Sequence, residues 1–174
     1  MFENLSDEIE NLIEAEGRDL KFRVKDILIP LNMSCTPSIS YDYLLLDPNS
    51  EYSFSNPEMN KLTSEDFPKL SDSQIYFQRI KEVCISDFNE LYDNIPFFQV
   101  ISSPNKKLRD VVEFIFSKNL QPEQIPSFIE LRLYTNKIGT KAPRVFGFIG
   151  NASIIYILFY DPFHQIFNKT GKVE

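Results

Sequence analysis

The stretch FIELRLYTNKIGTKAPRVFGFIGNASIIYILFYDPFHQIF, Phe128 to Phe167, holds three strand-like runs separated by two turn-rich breaks, and the chain's only histidine, His164, lies near its end. In Phe128–Tyr134, Ile129, Leu131 and Leu133 fall on one face and Glu130 and Arg132 on the other. Successive side chains of a strand point to opposite faces, so this alternation predicts an antiparallel strand with one buried and one wet face. Thr135–Pro143 is a break containing Asn, Gly and Pro, with Lys137 and Lys141 at its tip. Arg144–Ile149 resumes the sheet, and Gly147 leaves room for a bulge or a close backbone approach. Gly150-Asn151-Ala152 is short enough for a hairpin turn. Ser153–Tyr160 is apolar on both faces and is expected inside the sheet, flanked by other strands. Pro162 ends it, because proline has no N–H to give to a ladder, and Phe163–Phe167 reads as a last short strand or turn.

Working back toward the N-terminus, the chain reads mainly as helices and loops. Ser6-Asp7-Glu8 opens a helix that Gly17 stops, with acids in its first turn to suit the positive end of the dipole. Arg18–Leu31 is ambiguous. Leu20, Phe22 and Val24 alternate, yet Val24, Ile27, Leu28 and Leu31 keep helical spacing, and the segment is read as a helix ending before Pro30. Ile39–Leu46 reads as a strand, and Ser50–Leu70 as a long irregular loop with little core. Ser71 or Asp72 caps the strongest helix, which runs to about Asn94 with a broad apolar stripe from Tyr76 to Ile95. That stripe suits a core, with a subunit contact as the alternative. Ser103-Pro104 begins another helix, whose Leu108, Val111, Val112, Ile115 and Phe116 face inward. The fold class expected is α+β, with an antiparallel β-meander in the C-terminal half packed against N-terminal and central helices in a single domain spanning 1–174.

The net charge of −7 hides an asymmetry. Residues 1–99 hold 8 Lys+Arg against 19 Asp+Glu, or −11, whereas residues 100–174 hold 10 against 6, or +4. With 43% hydrophobic residues and 16 phenylalanines the chain can bury a sizeable core. No apolar run reaches the roughly 18 residues of a membrane span, and the acidic start MFENLSDEIE is unlike a signal peptide, so a cytoplasmic protein with no membrane partner is expected. Cys35 and Cys84 are unpatterned, which fits free thiols in a reducing compartment and leaves no zinc constellation. The five glycines match no phosphate-cradling order and there is no G-x-S-x-G elbow, so neither metal nor cofactor is expected.

The polar residues around the meander are the candidates for chemistry. His164, Tyr160 and Arg144 are the catalytic candidates, and Arg132, Lys137 and Lys141 the binding ones, with Asp161 placed to orient the His164 ring. Arginines and lysines can hold a phosphodiester and stabilise charge developing on it, while Tyr and His can move a proton to a leaving oxygen. On the plainer alternative, Arg132 and Arg144 pair with Glu130 and other acids, and His164 only caps a turn.

Glu130-Leu131-Arg132, Arg144-Val145-Phe146, Ile154–Tyr160 and His164–Phe167 together resemble the meander of the RelE/ParE superfamily of small bacterial toxins. The resemblance covers the Phe128–Phe167 stretch only, and members of that superfamily are shorter and strongly basic. It implies a metal-free transesterification in which a 2′-hydroxyl attacks the adjacent phosphate, with Arg132 and Arg144 holding phosphate and Tyr160 or His164 handling protons. Two functions follow as expectations. One is a toxin-like or defence-associated protein that engages RNA or the ribosome and acts as a metal-independent ribonuclease; it requires a positive patch made by Arg132, Lys137, Lys141 and Arg144. The other is a non-enzymatic interaction module (an antitoxin, inhibitor or complex subunit) that docks a protein partner through its acidic N-terminal half; it requires those four residues to be scattered or neutralised.

Overall fold

A computed structural model describes residues 20–24, 27–31, 36–62, 69–121, 125–134, 141–150 and 153–167. The N-terminal helix expected over Ser6–Gly17 lies outside them, as does Lys137. The chain divides into two compact units, Met1–Cys35 and Thr36–Glu174. In the first, β1 (Leu20–Val24) and β2 (Ile27–Leu31) pair antiparallel, Leu20 opposite Leu31 and Val24 opposite Ile27. The helix read over Arg18–Leu31 is therefore wrong. The alternation of Leu20, Phe22 and Val24 was the decisive signal, reinforced by the β-branched Val24, Ile27 and Ile29. Pro30 fits because both strands of a two-stranded sheet are edges, where a missing N–H is tolerated.

The second unit is built on a five-stranded sheet in the order β3-β7-β6-β5-β4, formed by β3 (Ser38–Ser40), β4 (Phe98–Ile101), β5 (Phe128–Arg132), β6 (Arg144–Ile149) and β7 (Ile154–Asp161). The meander β5-β6-β7 is antiparallel as expected, β4 adds antiparallel to β5, and β3 adds parallel to β7. The helices are α1 (Asp72–Ile85), α2 (Phe88–Asn94) and α3 (Lys106–Phe116), so the unit is α+β. Among the described residues no helix is long and apolar enough to cross a membrane.

Several boundaries differ from expectation for local chemical reasons. The helix expected from Asp72 to Asn94 breaks in two. Ser86 turns extended with its Oγ donating to the Glu82 carbonyl, and the Asp87 side chain accepts the Asn89 N–H as the cap of α2. Ser and Asp compete with a helix for its own backbone groups, and here they win. The start of α1 is a capping box between Ser71 and Gln74. The strand expected over Ile39–Leu46 stops at Ser40, and in the rest of that span Leu45 bonds to the sheet, its N–H donating to the Leu158 carbonyl. The loop after Ser50 carries more core than predicted, burying Tyr52 and, in a short 3-10 turn at Pro57–Asn60, Met59. Strand β4 was not foreseen.

Both faces of the sheet carry a packed layer. Ile129, Leu131, Leu133, Val145, Ile155 and Ile157 pack with Ile75, Tyr76 and Val83 of α1 and Leu91 of α2. Phe128, Phe146 and Phe159 pack on the other face with Leu108 and Val112 of α3 and with Ile166 from the terminal turn. The α3 face carries Glu130, Arg132 and Arg144, of which alternation in the sequence had assigned Glu130 and Arg132 to solvent. Glu130 and Arg144 are buried instead, while Arg132 stays partly exposed at the rim.

Candidate functional site

A single irregularity sorts the candidate residues. The β6–β7 register shifts between Phe146 and Gly147: Phe146 sits opposite Phe159 but Gly147 opposite Ile157, so Leu158 is the extra residue of a bulge. The bulge reverses which side chains point where. Before it, Ile155 and Ile157 face α1; after it, Tyr160 does, while Phe159 and Asp161 face α3. Gly147 permits the crossing, since a Cβ there would lie 2.5 Å from the Tyr156 carbonyl oxygen. The outer edge of the bulge is closed by the 45–52 segment, where the Leu158 carbonyl accepts from Leu45 and the Tyr160 N–H donates to the Tyr52 carbonyl. As a result Tyr160 and His164, the two residues expected to handle protons, lie on opposite faces of the sheet.

On the α1 face, the Tyr160 hydroxyl donates to Asp72 Oδ2 at 2.5 Å. Lys141 Nζ reaches the same oxygen at 3.1 Å, Glu58 Oε2 at 3.4 Å and the Glu58 carbonyl at 3.1 Å. The contact to the Glu58 carbonyl is a hydrogen bond and the two carboxylate contacts are ion pairs. Burial, aided by the Asp72 charge, drives the Tyr160 hydroxyl far above its ordinary range, so it stays protonated. Burial likewise raises the Asp72 carboxyl against the opposing pull of Tyr160 and Lys141, and Asp72 Oδ1 is buried without a hydrogen bond. For Glu58 burial pushes upward, but Lys61 and Lys141 outweigh it and the carboxyl sits below its usual value.

On the α3 face, Arg132, Arg144 and Asp161 stand side by side on three adjacent strands. Glu130 Oε1 lies 3.1 Å from Arg144 Nε and 3.2 Å from Arg132 Nε. The Arg144 contact is an ion pair without hydrogen-bond alignment, because its Nε has no bonded partner, while its Nη1 donates to the Pro143 carbonyl at 2.9 Å. Arg132 also donates to Gln99 Oε1. Asp161 does not orient the histidine. It accepts the N–H groups of Phe163 and Ile166 at 3.2 and 2.9 Å and so shapes the terminal turn. His164 holds a left-handed backbone (φ 54°) with Nε2 4.0 Å from Glu130 Oε2. Burial, then the Arg144 charge, lowers its proton affinity, with Glu130 and Asp161 opposing.

The six candidates thus separate. Arg132, Arg144 and His164 meet around Glu130, Lys141 and Tyr160 meet around Asp72 on the other face, and Lys137 is not described. Glu130, Asp72, Glu58 and Gln99 complete the two groups. Only Glu130 had a signal in sequence, as the polar neighbour two positions before Arg132; the others needed the register and the helix placement. Among the described residues no group of His, Cys, Asp and Glu is arranged to hold a metal ion. The surface grooves lie elsewhere. One of about 460 Å³ opens between the 47–52 segment and α3, and one of about 330 Å³ lies between Tyr41, Phe54 and Phe77; neither is lined by Arg132, Arg144, Tyr160 or His164. Comparison with protein-family models, curated proteins and solved structures finds no match.

Proposed function

We propose that the protein works as a non-enzymatic interaction module that binds another protein. The observation that carries this reading is charge neutralisation at the residues a ribonuclease would need. Arg132 and Arg144 share Glu130, with Asp161 beside them, and Lys141 is enclosed by Asp72 and Glu58. Binding a nucleic acid backbone requires uncompensated positive charge, whose association with phosphate weakens steeply with salt. Here each described cation of the candidate site has a carboxylate partner, and the buried carboxylates and the neutral tyrosine belong to the packing of the two layers. Perturbed ionisable groups mark structural ion networks as well as active sites.

A second reading, RNA engagement with ribonuclease chemistry, is favoured by one feature. Arg132 and His164 keep side chains 39% and 33% exposed on the same rim, so one guanidinium edge and one imidazole reach solvent. The test separates the two. Purified protein is mixed with labelled single-stranded RNA at about 50 and about 200 mM salt, and the intact gene, Arg144→Ala and His164→Ala are expressed in cells. No RNA cleavage, no salt-dependent RNA binding and harmless expression are expected. RNA cleavage, or growth arrest that both substitutions abolish at unchanged protein level and fold, would establish the second reading instead.

A further inference from the structure

The larger groove carries a specific partner chemistry, resting on the interaction reading above. Beyond β3 the chain runs past α3, and between them Tyr43, Leu46 and Phe114 remain exposed, Leu46 and Phe114 by more than half (57% and 59%). Phe114 lines both the 460 Å³ groove and a neighbouring one of about 250 Å³ formed with Tyr43 and Leu46, so the apolar strip is continuous. Its aromatic end is packed against the sheet and α3. The Tyr43 ring lies edge-on to Phe116 at 5.0 Å and against Tyr156 at 5.5 Å, and Tyr156 stacks on Phe148 at 4.8 Å. Aromatic side chains already packed on one side are the usual anchors of an interface, because less conformational entropy is lost when they are covered.

The rim of this strip is acidic. Asp47, Glu51 and Asp110 line the larger groove and Asp42 the smaller, and none of the four forms an ion pair with a described residue. The one cation lining these grooves, Lys107, is held over the Tyr52 ring and bonded to Gln165. We infer that this groove docks a basic segment of a partner protein, with a Leu- or Phe-type side chain seated against Tyr43, Leu46 and Phe114 and Lys or Arg side chains on the carboxylate rim. The same carboxylates repel phosphate, which disfavours RNA and anionic lipid. A second copy would set acid against acid, in a chain already carrying −7.

The experiment uses the full chain and fluorescein-labelled probe peptides of about 15 residues, helical in spacing, built from Lys, Arg, Leu and Phe. Twin peptides replace the basic residues by Glu or the anchors by Ala, and a labelled single-stranded RNA is run alongside. Anisotropy is expected to show the basic, anchored peptide binding. About tenfold losses are expected for the anchor-free twin, for Phe114→Ala and for the combined Asp47→Asn, Glu51→Gln, Asp110→Asn variant. All these substitutions are on the surface, and backbone NMR shifts should move over 42–54 and 106–116. Equal binding of the acidic twin, indifference to Phe114→Ala, or shifts confined to the Tyr41–Phe77 groove would overturn this assignment while leaving the interaction reading standing. RNA binding lost in Arg132→Ala would sink the interaction reading itself.

Discussion

Replacing Glu130 by Gln keeps the volume of the side chain and removes the charge that two arginines share. The cost falls unequally. Arg132 is 39% exposed and keeps Gln99, so its share is that of a surface pair, about 1 kcal/mol or less. Arg144 is 9% exposed, and stripping a buried ion of its partner costs about 3–5 kcal/mol. The Pro143 carbonyl still accepts from Arg144, and Asp161 remains opposite it, which places Glu130→Gln near the lower end, at about 3 kcal/mol. Urea unfolding of Glu130→Gln, Arg144→Met, the double variant and Arg132→Gln measures this. The double variant should be less destabilised than the two singles together by at least about 1.5 kcal/mol, since the Glu130–Arg144 pairing is lost in each single and neither is left without the other in the double. Strict additivity, or a Glu130→Gln protein within about 0.5 kcal/mol of the parent, would refute the claim that Glu130 belongs to the architecture.

His164 is the only histidine of 174 residues, so its ring protons titrate without overlap in a proton NMR spectrum, and the midpoint should fall below 6.5. Because the folded state then binds this proton less tightly than the unfolded chain, stability present above pH 6.5 is lost as pH falls through the folded value. The raised Asp72 and Asp161 carboxyls act in the opposite sense above 3.8, so the histidine contribution is read as the difference between the parent and His164→Gln. Gly147→Ala sets a new methyl group against backbone, 2.5 Å from the Tyr156 carbonyl, and should cost about 2–3 kcal/mol in thermal or urea unfolding. Gly150→Ala meets side-chain atoms of the Tyr156 ring rather than backbone, and should cost less.

The meander was legible in the sequence because two-residue periodicity, a glycine inside a strand and a proline at its end are local signals. Burial of its polar face was not legible. Glu130 and Arg132 look like solvent-facing residues until α3 and the terminal turn are placed over them, and that placement depends on Leu108, Val112 and Ile166 meeting Phe128, Phe146 and Phe159. The short strand at Phe98–Ile101 escaped notice because four residues between a helix and a turn are too few to establish a period. In Arg18–Leu31 both periods were present, and sheet pairing overrode the helical one. The grouping of the candidate residues was not legible for one further reason. Ser153–Tyr160 is apolar on both faces, so no alternation marks which way Tyr160 points, and the extra Leu158 reverses the facing of the residues after it.

That reversal also accounts for the buried charges. Arg132 and Arg144 face each other directly across β5 and β6, an arrangement of like charges that would ordinarily weaken the pairing. It is tolerated because Glu130 sits two residues along β5 on the same face and Asp161 arrives opposite Arg144 on β7. Asp161 has that position only because of the bulge; in an unbroken strand it would point toward α1, and Tyr160 would lose Asp72. A slip of one residue in either pair of strands would therefore bury unpaired charge on both faces at once. An apolar replacement of similar volume would often be equally stable, so what these ions supply is a penalty on wrong registers. On this account the residues that resemble a catalytic set in sequence order are held by the needs of the sheet, and the exposed acidic and aromatic rim beside α3 is the surface the proposed recognition would use.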